Sequence, residues 1–384
     1  MILLLLIWLC HLIQVFVPET GFDALWYHLP LADLYLRSGR IVFSPELYQS
    51  LNPQFSDLIF LLGYQLAREL GTKVVAYIFA QSLLVFAYLI ARRFLNQKNS
   101  YVAVILISLI QVVAWQSSSY YVDLAKAFWE LSSIYLLLFG GLEKNNRSLI
   151  LSAVLFGASL ATKQFSILLA PVYAVLVLIK TNWKFVAFWL LMGFFVASPF
   201  YIYSFQNSGL VFYSIDHHLE FLIGAENLLQ YFLVKLLTIP VSLIVILQVK
   251  DYLNPVLFVF MPLILYGFNR MKIDEKQLVL FSIAQWLIWW FVPPLSTRYS
   301  LSGFVVLLIL LINRLVIFSK MNTFNKKVYF LIIVMAFVWA TVPRLYVSLR
   351  SMNYLVGKST KVEYLQKFLD GNIDSVLKKW YRLP

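Results

Sequence analysis

One cysteine stands in a chain of 384 residues, and only 18 residues are acidic. That thiol, Cys10, lies in an apolar run, which excludes an intrachain disulfide and any cysteine-based metal cluster. Charged side chains make up 13% of the sequence, about half the share found in a soluble globule. Phosphate-binding P-loops, dinucleotide-binding glycine patterns, HExxH and GxSxG are all missing, which removes most soluble cofactor and hydrolase chemistry. There is no heptad, solenoid repeat or low-complexity tract. The opening "MILLLLIWLCHLIQVFV" has no basic stretch before it and no small-residue cleavage motif after it, so it reads as a retained first helix.

What the chain has instead is apolar surface. Hydrophobic residues form 61% of it and the mean hydropathy is +0.79, more than a soluble fold could bury. Apolar windows of about 17 to 22 residues recur from end to end, each able to cross roughly 30 Å of hydrocarbon as a helix that satisfies its own backbone. The expected fold is therefore all-α, a polytopic membrane protein. The net charge of +13 does not point to nucleic acid, because the basic residues sit in small clusters between apolar runs, as topology signals and headgroup contacts do.

Five such clusters are expected on the cytoplasmic side: "ARRFLNQK", "EKNNR", "KTNWK", "NRMKIDEK" and the stretch from Arg314 to Lys327. Spans over 1–17, 73–94, 100–117, 122–142, 148–161, 164–180, 184–205, 252–268, 277–293, 299–318 and 326–343 alternate consistently with them. This gives about eleven transmembrane helices, within a range of roughly ten to thirteen, with the N-terminus inside. The transmembrane domain is expected over 1–343, with a first outer loop over 18–72 and a short extracytoplasmic helical tail over 344–384. Residues 53–70 are apolar yet interrupted by Asp57, Arg68 and Glu69, which suits an amphipathic interfacial helix. Residues 228–249 carry Lys235 and Pro240 and read as interfacial or re-entrant.

On this topology the stretch "ETGFDALWYHLPLADLYLRSGRI" falls on the outer face and gathers Asp23, Tyr27, His28, Asp33, Arg37 and Arg40. Asp123, Lys163, Arg298 and Tyr299 fall at the same face. A single ionisable group at a membrane edge can be a helix cap or a snorkelling side chain, but several on one side define a candidate site. A guanidinium such as that of Arg298 suits bidentate contact with phosphate. His217 and His218 follow Asp216 in a long outer loop; adjacent histidines do not share a helical face, so substrate contact by His217 or plain loop chemistry is favoured over metal binding and no metal ligand set is assigned. Carboxylates for base chemistry, cations for phosphate and a bilayer to present a lipid carrier together describe group transfer from a lipid phosphate donor.

"FDALWYHLPLADLYLRSGRI", "YYVDLAKAFWELSSIYLLL", "GASLATKQFSILLAP", "SPFYIYSFQNSGLVFYS", "NPVLFVFMPLIL" and "TRYSLSGF" occur in this order. The series resembles the GT-C superfamily of membrane glycosyltransferases, which includes protein O-mannosyltransferases and lipid A aminoarabinose transferases, and especially their bacterial members. The resemblance implies a glycosyltransferase that moves a sugar from a polyprenyl-phosphate-linked donor to an acceptor hydroxyl with inversion. The acceptor would be a lipid, a glycan or a protein. By position it makes Asp23 the base, Asp123 its partner, and Lys163 and Arg298 donor-phosphate ligands; the reading of the residues themselves adds Tyr299 to the phosphate ligands and Tyr27, His28 and His217 as substrate contacts. It implies a bacterial inner membrane with the active site extracytoplasmic. No cofactor is assigned, and a divalent cation is left open. A lipid or solute transporter, or a non-catalytic assembly subunit of the same fold, are the rival readings.

Overall fold

The computed structural model describes residues 2–140, 146–213, 215, 227–242, 253–265, 268–292 and 295–368. Among the described residues the regular structure is helical, apart from one isolated bridge between Ser44 and Leu47. The helices are α1 (Ile2–Val15), α2 (Leu29–Ser38), α3 (Phe55–Ala91), α4 (Gln97–Ser108), α5 (Gln111–Gln116), α6 (Asp123–Phe139) and α7 (Asn146–Leu160). They continue with α8 (Ala170–Lys180), α9 (Trp183–Ser208), α10 (Leu228–Leu237), α11 (Ile273–Phe291), α12 (Leu301–Ser319), α13 (Thr323–Leu355) and α14 (Lys361–Phe368). This is the polytopic helical membrane protein that the composition requires.

Among the described residues, four helical segments are long and apolar enough to cross a membrane: Phe55–Ala91, Trp183–Ser208, Thr297–Ser319 and Thr323–Leu355. Shorter apolar helices lie beside them. Asparagines start three helices. Asn96, Asn182 and Asn322 accept backbone N–H groups at the heads of α4, α9 and α13, satisfying donors that a helix start leaves open.

The apolar run that suggests a span over 100–117 is divided at Leu109–Ile110 between α4 and α5. The window over 252–268 is not one helix either. Its described part holds two short pieces, Pro255–Phe258 and Met261–Ile264, each with proline near its start. Proline has no N–H to donate, so two of them seven residues apart prevent a continuous ladder. The helix expected over 326–343 runs on through Pro343 to Leu355.

Helix α3 joins two helices across a kink at Ala67 and Arg68, the latter at φ 50°. No Cβ fits at Gly63 or Gly71, where the two halves touch backbone to backbone, so the chain can fold sharply only with glycine there. The first half carries Phe60 and Tyr64 inward and exposes Leu62 and Leu66, the two-faced pattern read in the sequence. Helix α12 forms the centre of the bundle, with every residue from Leu301 to Leu315 buried. By contrast α9 and α13 expose Leu191, Phe195, Phe330 and Leu349, apolar faces suited to lipid. A second, smaller core lies beneath the first loop, where Leu25, Leu29, Phe60 and Tyr120 pack with Tyr364 and Leu365 of α14.

Candidate active site

Four connections end close together at one end of the bundle. The first follows α1 and is knotted by Glu19, which is buried and accepts the N–H of Gly21 at 2.8 Å, the N–H of Tyr120 at 2.9 Å and the Ser119 hydroxyl at 2.6 Å. One carboxylate thus ties the loop that carries Asp23 to the loop that carries Tyr121. Gly21 is required here: a Cβ would lie 2.5 Å from Ser119 Oγ and 2.6 Å from the Tyr121 ring. The Asp23 N–H then donates to the Tyr121 hydroxyl at 2.9 Å. Burial, and next the Asp23 carboxylate, hold the Tyr121 phenol well above its usual pKa, so it stays protonated.

The third connection follows α7. Phe55 N–H donates to Ala161 O at 2.9 Å and Ser56 shares a 2.7 Å hydrogen bond with Thr162, which pins the segment that presents Lys163. The fourth is the turn Thr297–Ser300 before α12. Lys126, buried in α6, donates to the Tyr299 carbonyl at 3.0 Å and fixes that turn from below.

Charges from these connections interlock. Arg298 Nη1 donates to Asp23 Oδ2 at 2.7 Å, and its Nε lies 4.0 Å from Asp123 Oδ2. Lys163 Nζ donates to Asp123 Oδ1, and Gln116 Nε2 donates to Oδ2 at 3.0 Å. Both cations also lie against Tyr299: Lys163 Nζ is 4.2 Å from the ring centroid and the Arg298 guanidinium 5.3 Å. Asp123 is enclosed, and each of its oxygens accepts one hydrogen bond. Asp23 retains 16% side-chain exposure, so it can meet a ligand.

The structure therefore brings together Asp23, Asp123, Lys163, Arg298 and Tyr299. Tyr27 joins them from a turn of π-helix, Ala24–His28. Its hydroxyl pKa is raised well above the ordinary value by burial and then by the Asp23 carboxylate. His28 Nδ1 lies 2.8 Å from Asp57 Oδ1, while its ring stacks on Tyr120, which stacks in turn on Phe60. Its buried Nε2 has no hydrogen-bond partner among the described residues. His28, Tyr27, Asp57 and Lys163 line one cavity of about 40 Å³, room for a water or a hydroxyl group. His217 lies outside the described residues. No group of three metal-binding side chains occurs among the described residues, and Asp23 and Asp123 are each already held by a cation.

Several participants were not singled out in the sequence. Glu19 and Gln116 carry no motif; only their neighbourhood to Asp23 and Asp123 marks them. Asp57 reads as an interruption in an apolar helix, yet it orients His28. Lys126 and Glu130 stand four apart in α6, an intrahelical ion pair of 2.7 Å with both members buried. A lysine and a glutamate at that spacing in an apolar helix were the available signal.

A helical membrane bundle whose connections converge on two carboxylate–cation pairs defines the class. Residues 53–203 match the family described as dolichyl-phosphate-mannose-protein mannosyltransferase. The fold is similar to that of ArnT from Cupriavidus metallidurans in the apo state, with a TM-score of 0.63 over 98% of this chain and 73% of that one, at 11% identity. The same protein bound to undecaprenyl phosphate aligns with a TM-score of 0.59 over 96% of this chain and 74% of that one, also at 11% identity. No curated protein matches the sequence significantly. Residues 53–203 are thus similar to that mannosyltransferase family, and the chain as a whole shares the fold of ArnT.

Proposed function

We propose that the protein transfers a sugar from a polyprenyl-phosphate-linked donor to an acceptor hydroxyl, on the extracytoplasmic face and with inversion at the anomeric carbon. The observation that carries this reading is the Asp23–Arg298 pair standing beside the Asp123–Lys163 pair. The ArnT structure bound to undecaprenyl phosphate supports the choice of donor.

The donor phosphate draws Arg298 and Lys163, because a guanidinium can grip two phosphate oxygens while an ammonium adds a point charge. Asp123 stays between the two cations and keeps them in place. Asp23, freed from Arg298, becomes a competent acceptor. As the acceptor oxygen bonds to the anomeric carbon, its proton passes to Asp23. The bond from that carbon to the phosphate oxygen breaks with both electrons on the phosphate. The leaving group is a stabilised anion and needs no general acid, so one base suffices. The cations lie where charge develops, in a site partly closed to water, which strengthens their effect. Tyr27 and His28 line the space beside Lys163 in which a hydroxyl can be received.

The test is Asp23→Asn in membranes supplied with polyprenyl-phosphate-linked sugars. Transfer is expected to fall about 10²- to 10⁴-fold, the usual contribution of a general base. Undiminished transfer would remove Asp23 from that role.

A further inference from the structure

A cavity of about 880 Å³ lies away from Asp23. It lies at the other end of α12, where Arg314 and, just past the helix, Lys320 line it, roughly 20 Å of helix rise beyond the turn that carries Arg298. Lining cations also come from Arg93 after α3 and from Arg270 and Lys272 before α11.

Among the described residues that line this cavity the charges do not balance. Glu275 is the one carboxylate among them, and Glu275 is already committed. Its Oε1 accepts Asn313 at 2.7 Å and Arg314 Nη2 at 2.8 Å, and its Oε2 accepts the Lys272 backbone N–H at 3.2 Å, capping α11. Arg314 is only 8% exposed, and its buried Nε has no partner among the described residues. Arg270, Lys272 and Lys320 are exposed and form no ion pair among the described residues. Both α4 and α11 begin here, so two helix N-termini add positive potential. Phe94, Leu265 and Ile317 supply an apolar wall.

We infer that this cavity is a second anion site, which takes a phosphate-bearing ligand at the end of the bundle opposite the candidate active site. A phosphate matches the observations in two ways. Its several oxygens can engage the orphaned Arg314 Nε–H and the rim cations at once, and its charge compensates an excess that Glu275 cannot. The mixed lining accommodates a lipid headgroup with the start of its chain, or a free phosphate. The inference does not rest on the proposed glycosyl transfer.

Native mass spectrometry of the purified full-length protein in detergent tests it, with phosphatidylglycerol, phosphatidylcholine and inorganic phosphate as probes. The wild type is expected to retain one phosphatidylglycerol, about tenfold more tightly than phosphatidylcholine. An Arg270→Gln/Lys272→Gln/Lys320→Gln variant should lose about tenfold in that affinity, and because these side chains are exposed its thermal unfolding should be unchanged. A Lys326→Gln/Lys327→Gln variant removes two exposed charges that do not line the cavity and should bind as the wild type does. Arg298→Ala should also retain the bound phosphate, which separates this site from the donor site. Displacement of the lipid by inorganic phosphate identifies the phosphate group itself as the ligand, and resistance to displacement identifies the lipid. Equal losses in the cavity and control variants would show diffuse attraction to the surface, and equal binding of the two lipids or binding of no probe would overturn the site.

Discussion

Arg298 makes two kinds of contact that cannot both persist when a phosphate arrives. Its guanidinium spans the 2.7 Å bond to Asp23 and the 4.0 Å approach to Asp123. On the proposed mechanism, a phosphate that engages the same N–H groups displaces Asp23 and frees it to act as the base. Two consequences follow for Arg298→Ala. The donor KM should rise, because a charge-assisted contact is lost, and kcat should also fall, because leaving-group charge is less stabilised. Steady-state kinetics with varied donor concentration measures both, and an unchanged donor dependence would remove Arg298 from the phosphate site. These residues were legible in sequence because an ionisable group at a membrane boundary is costly and therefore rare. Glu19 escaped notice for the opposite reason. It acts through backbone N–H groups of its own loop and of residue 120, a pairing that only the folded chain creates.

At the scale of elements, the site depends on a polar strut inside the bundle. Glu130 of α6 receives Lys126 at 2.7 Å, Ser159 at 3.1 Å, Ser166 at 3.0 Å, Gln285 at 3.0 Å and Ser302 at 2.5 Å. One carboxylate thereby joins α6 to α7, to the turn before α8, to α11 and to α12. Lys126 passes the constraint on to the Tyr299 carbonyl and so to the turn that bears Arg298. Removing one member of a buried ion pair leaves the other charge uncompensated, at a cost of about 3–5 kcal/mol. Glu130→Gln and Lys126→Met should each lower the unfolding temperature in detergent, while the double variant should lose less than the sum of the two. Additive losses would mean that the pair does not act as a unit. The helical periodicity that marks α6 as apolar says nothing about which neighbours meet its two charges. The strut could be suspected from the i, i+4 spacing but not traced. The kink in α3 was more readable. Arg68 and Glu69 break the apolar run where the chain turns, and Asp57 lies on the half-helix that packs under the first loop.

Over the whole molecule, the two ends of the bundle carry different chemistry. One end holds the two carboxylate–cation pairs. The other gathers the basic clusters that the sequence assigns to the cytoplasm: Arg93, Arg270, Lys272, Arg314 and Lys320 surround one cavity, and Lys180 reaches Asp274 at 2.8 Å. Loops far apart in sequence thus meet as the alternation of spans requires, although the span count itself rests on helices shorter than a bilayer crossing and on breaks at Leu109 and Pro262. If basic loops remain on the side where the chain is made, Asp23 faces away from it. Single cysteines test this orientation. Glu46 and Lys320 are both exposed and lie on the first loop and at the basic end respectively, and the native Cys10 sits in an apolar helix. In sealed right-side-out vesicles, a membrane-impermeant maleimide should label Glu46→Cys and spare Lys320→Cys, with both reacting once the membrane is dissolved. The reverse pattern would place the carboxylates in the cytoplasm, where a polyprenyl-phosphate sugar presented to the outer leaflet could not reach them.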